Sequence, residues 1–151
     1  VRRYGDGQLE GHAHVAGDAQ LSGDAWVYGD AQVYGNAQVY GDAQVYGNAR
    51  VYGDAQVSGD ARVSGDAWVY GNARVSGAAD LIQITGLGTV HRTTTAFRTP
   101  NGIFVSCGCF YGDLESFREQ VKRTRRGKVE QEYLAFADLI EIYFDKEESG
   151  R

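Results

Sequence analysis

Residues 23–58 read GDAWVYGDAQVYGNAQVYGDAQVYGNARVYGDAQVS, which is six consecutive copies of one six-residue unit. The unit extends in both directions, so that thirteen hexads run without insertion over residues 5–82. Each hexad begins with Gly, usually followed by Asp or Asn, and has Val or Leu at its fifth position. The third position is Ala in all hexads but the first. A repeat this long dominates the prediction of the fold, because such units bury their apolar side by stacking on one another.

The hexad contains the elements of one short strand and one corner. Four residues alternate small apolar, polar, apolar and polar, which is typical of a strand with one buried face. The Gly-Asp or Gly-Asn pair supplies the corner, since Gly adopts positive φ and Asn and Asp tolerate the left-handed region. Six residues are too few to close a hairpin, so every corner must bend the same way and the chain must coil. With three hexads per turn, residue i lies beside residue i+18, and the thirteen hexads form about four coils of a mainly β, parallel β-helix.

The pattern Val-x-Gly-Asp-Ala-x resembles the hexapeptide signature of left-handed parallel β-helix proteins, and the resemblance implies the left-handed sense. More narrowly, GDAxVY repeats followed by Cys107-Gly108-Cys109-Phe110 are similar to a group of bacterial and prophage hexapeptide-repeat proteins, often labelled as transferases. This second resemblance implies a fold and a prophage setting, and it brings no established activity with it.

The outward positions, grouped at 18-residue spacing, form three unlike faces. One is aromatic, a second is mostly Gln and Ser, and a third is mixed and is expected to end in Asp80 and Ile82. Stacked aromatic residues on the first face could simply suit strand structure, or they could form an interface. We predict a homo-oligomer interface, with a further protein partner as an open option, at Tyr34, Tyr52, Tyr70 and Trp68.

The corner positions place carboxylates in columns, for example Asp24, Asp42 and Asp60. Stacked like charges repel unless a cation bridges them, and calcium would suit such oxygen ligands. Asn at positions 36, 48 and 72 dilutes the charge without breaking the repeat, so a polar corner explains the pattern as well. We expect no metal site and no cofactor.

The chain after the repeat is predicted to be a second unit, with the β-helix over residues 5–88 and a small ββαα cap over residues 89–151. Thr85 and Leu87 are expected to continue the inward pattern for one degenerate hexad. Because terminal units of repeat proteins must cover the exposed end, the cap is expected to close the solenoid.

Within the cap, two β-rich runs at 91–98 and 103–110 flank Asn101-Gly102, which is a strong hairpin signal. Asp113 is a good N-cap for a first helix, with Leu114, Phe117 and Val121 on one side. Apolar residues between Tyr133 and Phe144, including Ile142, predict a second helix with an acidic outer side.

The residues that could support catalysis are few. Hexapeptide acyltransferases, as the resemblance implies, use a catalytic His and a projecting loop, whereas these hexads carry no insertion that would form one. Of the three histidines, His14 is the candidate base, while His12 and His91 are not placed to join it. Cys107 and Cys109 are expected on one side of a strand, where structural, redox and metal-binding roles all stay open.

Charge and composition limit the classes of partner and the cellular location that we expect. Residues 1–82 hold five Arg, nine Asp and one Glu, a net charge of −5, while the remaining residues are neutral overall. An acidic repeat repels the phosphate backbone of a nucleic acid, so no such partner is expected. No apolar run is long enough to span a membrane. Two cysteines are too few for a disulfide framework, so a cytoplasmic location is expected. The prediction is therefore a non-catalytic structural or protein-interaction module. The alternatives are an acyltransferase-like enzyme and a sponge or inhibitor that binds a bacterial or phage-defence component.

Overall fold

The computed structural model describes residues 2–3, 8–89, 92–108 and 110–145. The repeat forms a parallel β-solenoid in which each of the first twelve hexads contributes one two-residue strand at its fourth and fifth positions. Strands eighteen residues apart pair in register, as Gln32 does with Arg50. The solenoid, its parallel sheets and the two C-terminal helices confirm the predicted mainly β class. The left-handed sense and the number of coils stay predictions.

The solenoid has three parallel sheets, whose strands follow one another in rotation along the chain. The first sheet contains β1 (Arg2–Arg3), β4 (Gln20–Leu21), β7 (Gln38–Val39), β10 (Gln56–Val57) and β13 (Arg74–Val75). The second contains β2 (Gln8–Leu9), β5 (Trp26–Val27), β8 (Gln44–Val45) and β11 (Arg62–Val63). The third contains β3 (His14–Val15), β6 (Gln32–Val33), β9 (Arg50–Val51) and β12 (Trp68–Val69).

The interior is built from the third and fifth positions of the hexads. Every Ala and every Val or Leu at these positions from Ala13 to Val75 is buried, most of them completely. The backbone donates along the coil axis, as when Gln32 N–H bonds to the Ala49 carbonyl at 3.0 Å. Small and branched side chains therefore alternate in a narrow core that a larger residue at the Ala positions would overfill.

The corners depend on glycine for two separate reasons. Gly47 has φ 67°, in the left-handed region. A Cβ placed on Gly47 would also lie 2.9 Å from the backbone N of Gly65 in the next coil. Glycine is thus required by conformation and by the close approach of stacked coils.

After β13 the chain leaves the solenoid. Gly77 is extended rather than left-handed, and Ala78–Asp80 form a short 3₁₀ turn. β14 (Leu81–Leu87) then pairs antiparallel with β15 (Arg92–Thr99). The expectation that Thr85 and Leu87 continue the inward pattern of the solenoid is therefore wrong. The placement of Asp80 and Ile82 on the third face is wrong for the same reason.

The predicted hairpin around Asn101-Gly102 is confirmed, and it is part of a larger sheet. β15 pairs antiparallel with β16 (Gly102–Cys107), which pairs in turn with β17 (Phe110–Asp113). Gly108, at φ 59°, divides the predicted strand 103–110 into two. The sheet order is β14-β15-β16-β17, so it crosses the predicted boundary at residues 88 and 89, which itself stays a prediction.

The antiparallel sheet lies between the end of the solenoid and the helices. Phe97 belongs to the solenoid core, with Leu81, Phe104 and Tyr111 packed against it. The opposite side of the same sheet carries Ala96, Val105 and Cys107, which face the helices. Arg98 Nε contacts Asp80 Oδ1 at 2.7 Å, and Gln83 Nε2 donates to the Ser64 carbonyl at 3.0 Å. The sheet, rather than the helices, covers the last coil.

Two helices complete the cap. α1 (Leu114–Thr124) begins at the predicted N-cap, where Asp113 Oδ1 accepts the Ser116 N–H at 2.8 Å, and this contact lowers the pKa of Asp113. α2 (Gly127–Tyr143) packs Tyr133, Phe136, Ala137 and Ile140 inward. Ile142, expected among the apolar contacts of this helix, is 72% exposed. No helix in the described part of the chain is long and apolar enough to span a membrane.

Candidate interaction face

The sheet formed by β3, β6, β9 and β12 carries the aromatic residues that the sequence singled out. Its strand register brings His14, Gln32, Arg50 and Trp68 into one outward column. The neighbouring column holds Ala16, Tyr34, Tyr52 and Tyr70. We call these two columns the aromatic face. The structure therefore brings the four predicted interface residues together, although an interface itself stays a prediction.

The tyrosines of the aromatic face form a continuous stack. The rings of Tyr34 and Tyr52 lie 4.9 Å apart between centroids with planes 2° from parallel, and those of Tyr52 and Tyr70 lie 4.8 Å apart at 3°. Each ring partly covers the next, so all three are half-buried. Burial, followed by the two neighbouring tyrosines, raises the pKa of Tyr52 to about 12. The stack is a rigid apolar ridge with hydroxyl groups at its edge.

Trp68 is the large apolar side chain of the face that is exposed, with 37% of its surface accessible. Its ring meets the edge of Tyr52 at 6.4 Å, and the guanidinium of Arg50 lies 5.3 Å from its centroid. These contacts hold the indole in place while leaving one side open. Trp, Tyr and Arg are the residue types that most often anchor protein interfaces.

The opposite end of the face is hollow. Ala16 stands where the other coils have tyrosine, and an open depression of about 280 Å³ lies there, lined by His14, Ala16, Gln32, Val33 and Tyr34. The sequence already showed the change from Tyr to Ala in this column, but the space became apparent only from the structure. His14 is exposed at the rim of this depression.

The cap extends the tyrosine stack at its other end. Tyr111 of β17 lies 4.5 Å from Tyr70 between ring centroids, with planes at 33°. α1 and α2 pack on the far side of the antiparallel sheet. Within the described residues, therefore, the helices do not fold over the aromatic face.

The other candidate residues take separate places. Cys107 is buried, and Thr94 Oγ1 donates to its Sγ at 3.2 Å. Cys109 and His91 fall outside the described residues, so the placing of the two cysteines on one side of a strand stays a prediction. Two corner amides bond to carboxylates of the next coil, Asn36 to Asp54 and Asn48 to Asp66, both at 3.3 Å. Across residues 8–89, 92–108 and 110–145 no group of three His, Cys, Asp or Glu could hold a metal ion.

The fold and the aromatic face together define a β-solenoid repeat protein with a capped end. The YdcK beta solenoid repeat model matches residues 19–35, 31–43, 43–56, 55–71 and 67–79. Over this part of the chain the protein is similar to that repeat family, which supports a repeat β-helix. Neither a curated protein nor a solved structure matches the chain significantly.

Proposed function

We propose that this protein is a non-catalytic interaction module that associates with a second copy of itself through the aromatic face. The observation that carries the proposal is the stack of Tyr34, Tyr52 and Tyr70 beside the exposed Trp68. A ridge of rings that is already held in one conformation loses little side-chain entropy on binding. It combines a large apolar surface with polar tips, which is the character of an interface core.

The other two faces of the solenoid have fewer stacked aromatic rings, which supports the aromatic face as the interface. On the sheet containing β4, β7 and β10, the outward column Ser22, Tyr40, Ser58 and Ser76 has a single ring. On the sheet containing β5 and β8, Tyr28 and Tyr46 stack 5.0 Å apart, but Ser64 follows them. The stack is longest and the exposed Trp is present only on the aromatic face of the described solenoid.

An acyltransferase is the alternative from another class. Its strongest candidate residue is His14, which lies at an open depression whose other polar lining residues are Gln32 and Tyr34. A depression of about 280 Å³ is at the lower limit of the volumes that hold small-molecule ligands. Calorimetric titration with acetyl-coenzyme A tests this alternative. Binding that is lost in His14→Ala would contradict the non-catalytic proposal.

Sedimentation velocity over a concentration series tests the self-association. We expect the wild type to form dimers by about 100 µM, because an interface anchored by a few aromatic residues gives micromolar affinity. Tyr52→Arg places a charge in the middle of the ridge and should give monomers, with a small change in melting temperature because Arg also stacks on neighbouring rings.

Tyr40→Arg is the matched control, since Tyr40 occupies the same hexad position on another face. It should leave the mass of the assembly unchanged. A wild type that is monomeric throughout the series would overturn the proposal, as would equal effects of the two substitutions. A sponge or inhibitor that binds some other protein would then be the next function to test, by capture from the native cell with Tyr52→Arg as the control.

A further inference from the structure

We propose that two copies pair with their solenoid axes antiparallel, so that Trp68 and Tyr70 of each copy meet the depression at His14 and Ala16 of the other. The inference rests on the proposed self-association and adds its geometry and its anchor residue. Two observations on the same sheet carry it: an exposed indole at the end near the cap and a depression at the other end.

The two ends of the aromatic face carry side chains of different size. The first coil presents His14 and Ala16, and the last presents Trp68 and Tyr70. Between them lie Gln32 with Tyr34 and Arg50 with Tyr52. The face is therefore low at Ala16, where the depression lies, and carries the exposed indole of Trp68 at the capped end.

Closed dimers of identical chains use a two-fold axis, which brings the same surface of both copies together. If the axis runs parallel to the solenoids, each coil meets its own counterpart. Trp68 and Tyr70 then press against the same large residues of the other copy, and the two depressions face each other across a gap. Such a pairing packs poorly at both ends.

If the two-fold axis runs along the strands instead, the solenoids are antiparallel and the order of coils is reversed. The first coil of one copy then meets the last coil of the other, and the two middle coils meet each other. This axis also keeps each column opposite itself, so Trp68 faces the His14 position and Tyr70 faces Ala16. At both ends of the face the largest side chains then meet the depression of the other copy, which is the complementarity that well-packed interfaces require.

The size of the face explains why an anchor is needed. Four strands at a spacing of ~4.8 Å make it only about 15 Å high. A standard interface buries ~800 Å² on each partner, more than two columns of this height offer. Affinity must then come from a few well-placed side chains, and Trp68, which contacts Tyr52 and Arg50, is the large apolar one that is exposed.

Two substitutions remove the contact from opposite sides. Trp68→Ala removes the indole and leaves the depression intact. Ala16→Tyr fills the depression with a ring that should stack on Tyr34 as the other tyrosines do, and it leaves the indole intact. In sedimentation equilibrium each variant alone should show a dissociation constant raised about tenfold or more.

A mixture of the two variants gives the decisive result. A dimer of one Trp68→Ala chain and one Ala16→Tyr chain keeps one of the two indole contacts, whereas each homodimer keeps none. Native mass spectrometry of an equimolar mixture should therefore show the mixed dimer well above the half expected from random pairing. Trp26→Ala, on another face, and Ser22→Tyr, which precedes Tyr40 as Ala16 precedes Tyr34, are the controls and should leave dimerisation unchanged.

The outcomes separate this inference from the function on which it rests. If Tyr52→Arg is monomeric while Trp68→Ala and Ala16→Tyr dimerise like the wild type, the Trp68 anchor is wrong and self-association through the face stands. A random share of mixed dimers from two impaired variants would also overturn the anchor. A wild type that never dimerises would overturn both. If Ala16→Tyr melts below the wild type, His14→Trp, which fills the same depression from the neighbouring column, takes its place.

Discussion

The ring of Tyr111, in the last strand of the cap, packs against the ring of Tyr70, just after the last strand of the aromatic face, with centroids 4.5 Å apart and planes tilted by 33°. Tyr111 also lies 5.2 Å from Phe104 and 6.3 Å from Phe97, whose side chain is fully buried in the solenoid core. One aromatic residue thus joins the repeat, the antiparallel sheet and the surface ridge.

We expect Tyr111→Ala to lower the free energy of unfolding by about 2–3 kcal/mol, because truncating a partly buried aromatic ring loses its packing and leaves a cavity. Tyr111→Phe keeps the ring and should lose less than about 1 kcal/mol. Urea denaturation followed by circular dichroism measures both. Equal losses would show that the hydroxyl group, rather than the stack, secures the cap.

Gly47→Ala should destabilise the solenoid more than an equivalent change elsewhere. The left-handed conformation costs a residue with a Cβ about 1–2 kcal/mol, and at Gly47 the new atom also meets the backbone of Gly65 at 2.9 Å. Gly127 has a similar φ of 64° with nothing within 4 Å of its Cβ position, so Gly127→Ala isolates the conformational cost. Equal melting temperatures of the two variants would contradict the conclusion that the close approach of stacked coils requires glycine.

Alkaline pH should weaken the fold through Tyr52. Below pH 10 the Tyr52 hydroxyl is protonated in both the folded and the unfolded chain, so its contribution to the free energy of unfolding is fully present. Above that pH the unfolded chain loses the proton first, since the folded pKa is about 12, and the free energy of unfolding falls across this interval. Denaturation at several pH values should show a shallower fall in Tyr52→Phe, whereas Tyr40→Phe controls for the loss of one hydroxyl group. An unchanged slope in Tyr52→Phe would contradict this account.

A chain that ends at Leu87 should aggregate. It would keep β14 without its partner β15, and it would uncover the core at Val75 that Phe97 and the sheet now close. Open strand edges and exposed apolar ends promote association between chains. Light scattering of the purified fragment checks the expectation. A fragment that stays in solution and melts cooperatively would show that the last coil needs no cover.

Much of the solenoid could be predicted because the hexad fixes both the inward positions and the corners. Register at 18 residues follows from these, so the composition of the aromatic face was available from the sequence. Asn101-Gly102 and Asp113 are local signals whose effects do not depend on distant parts of the chain, and both are confirmed.

The exit from the solenoid was harder to see. Residues 82–85 alternate apolar and polar side chains, a pattern equally suited to a parallel coil and to an antiparallel strand. The available signal was Ala78, which replaces the Asp or Asn of every other corner except His12. The depression beside Ala16 and the packing of Tyr111 against Tyr70 depend on how side chains meet across elements, which periodicity does not specify.

The identical register of successive coils has a consequence for how the length of this protein can change. Because strands pair at intervals of 18 residues, duplication or deletion of a block of 18 would leave each face in line with the cap, and Tyr111 would still find the aromatic column beneath it. A single hexad gained or lost would instead turn the cap by one face relative to the coils before the change and split each column into two unlike halves. The length of the repeat can therefore change by whole turns without altering which face meets the cap, whereas a change of one hexad alters the composition of every face.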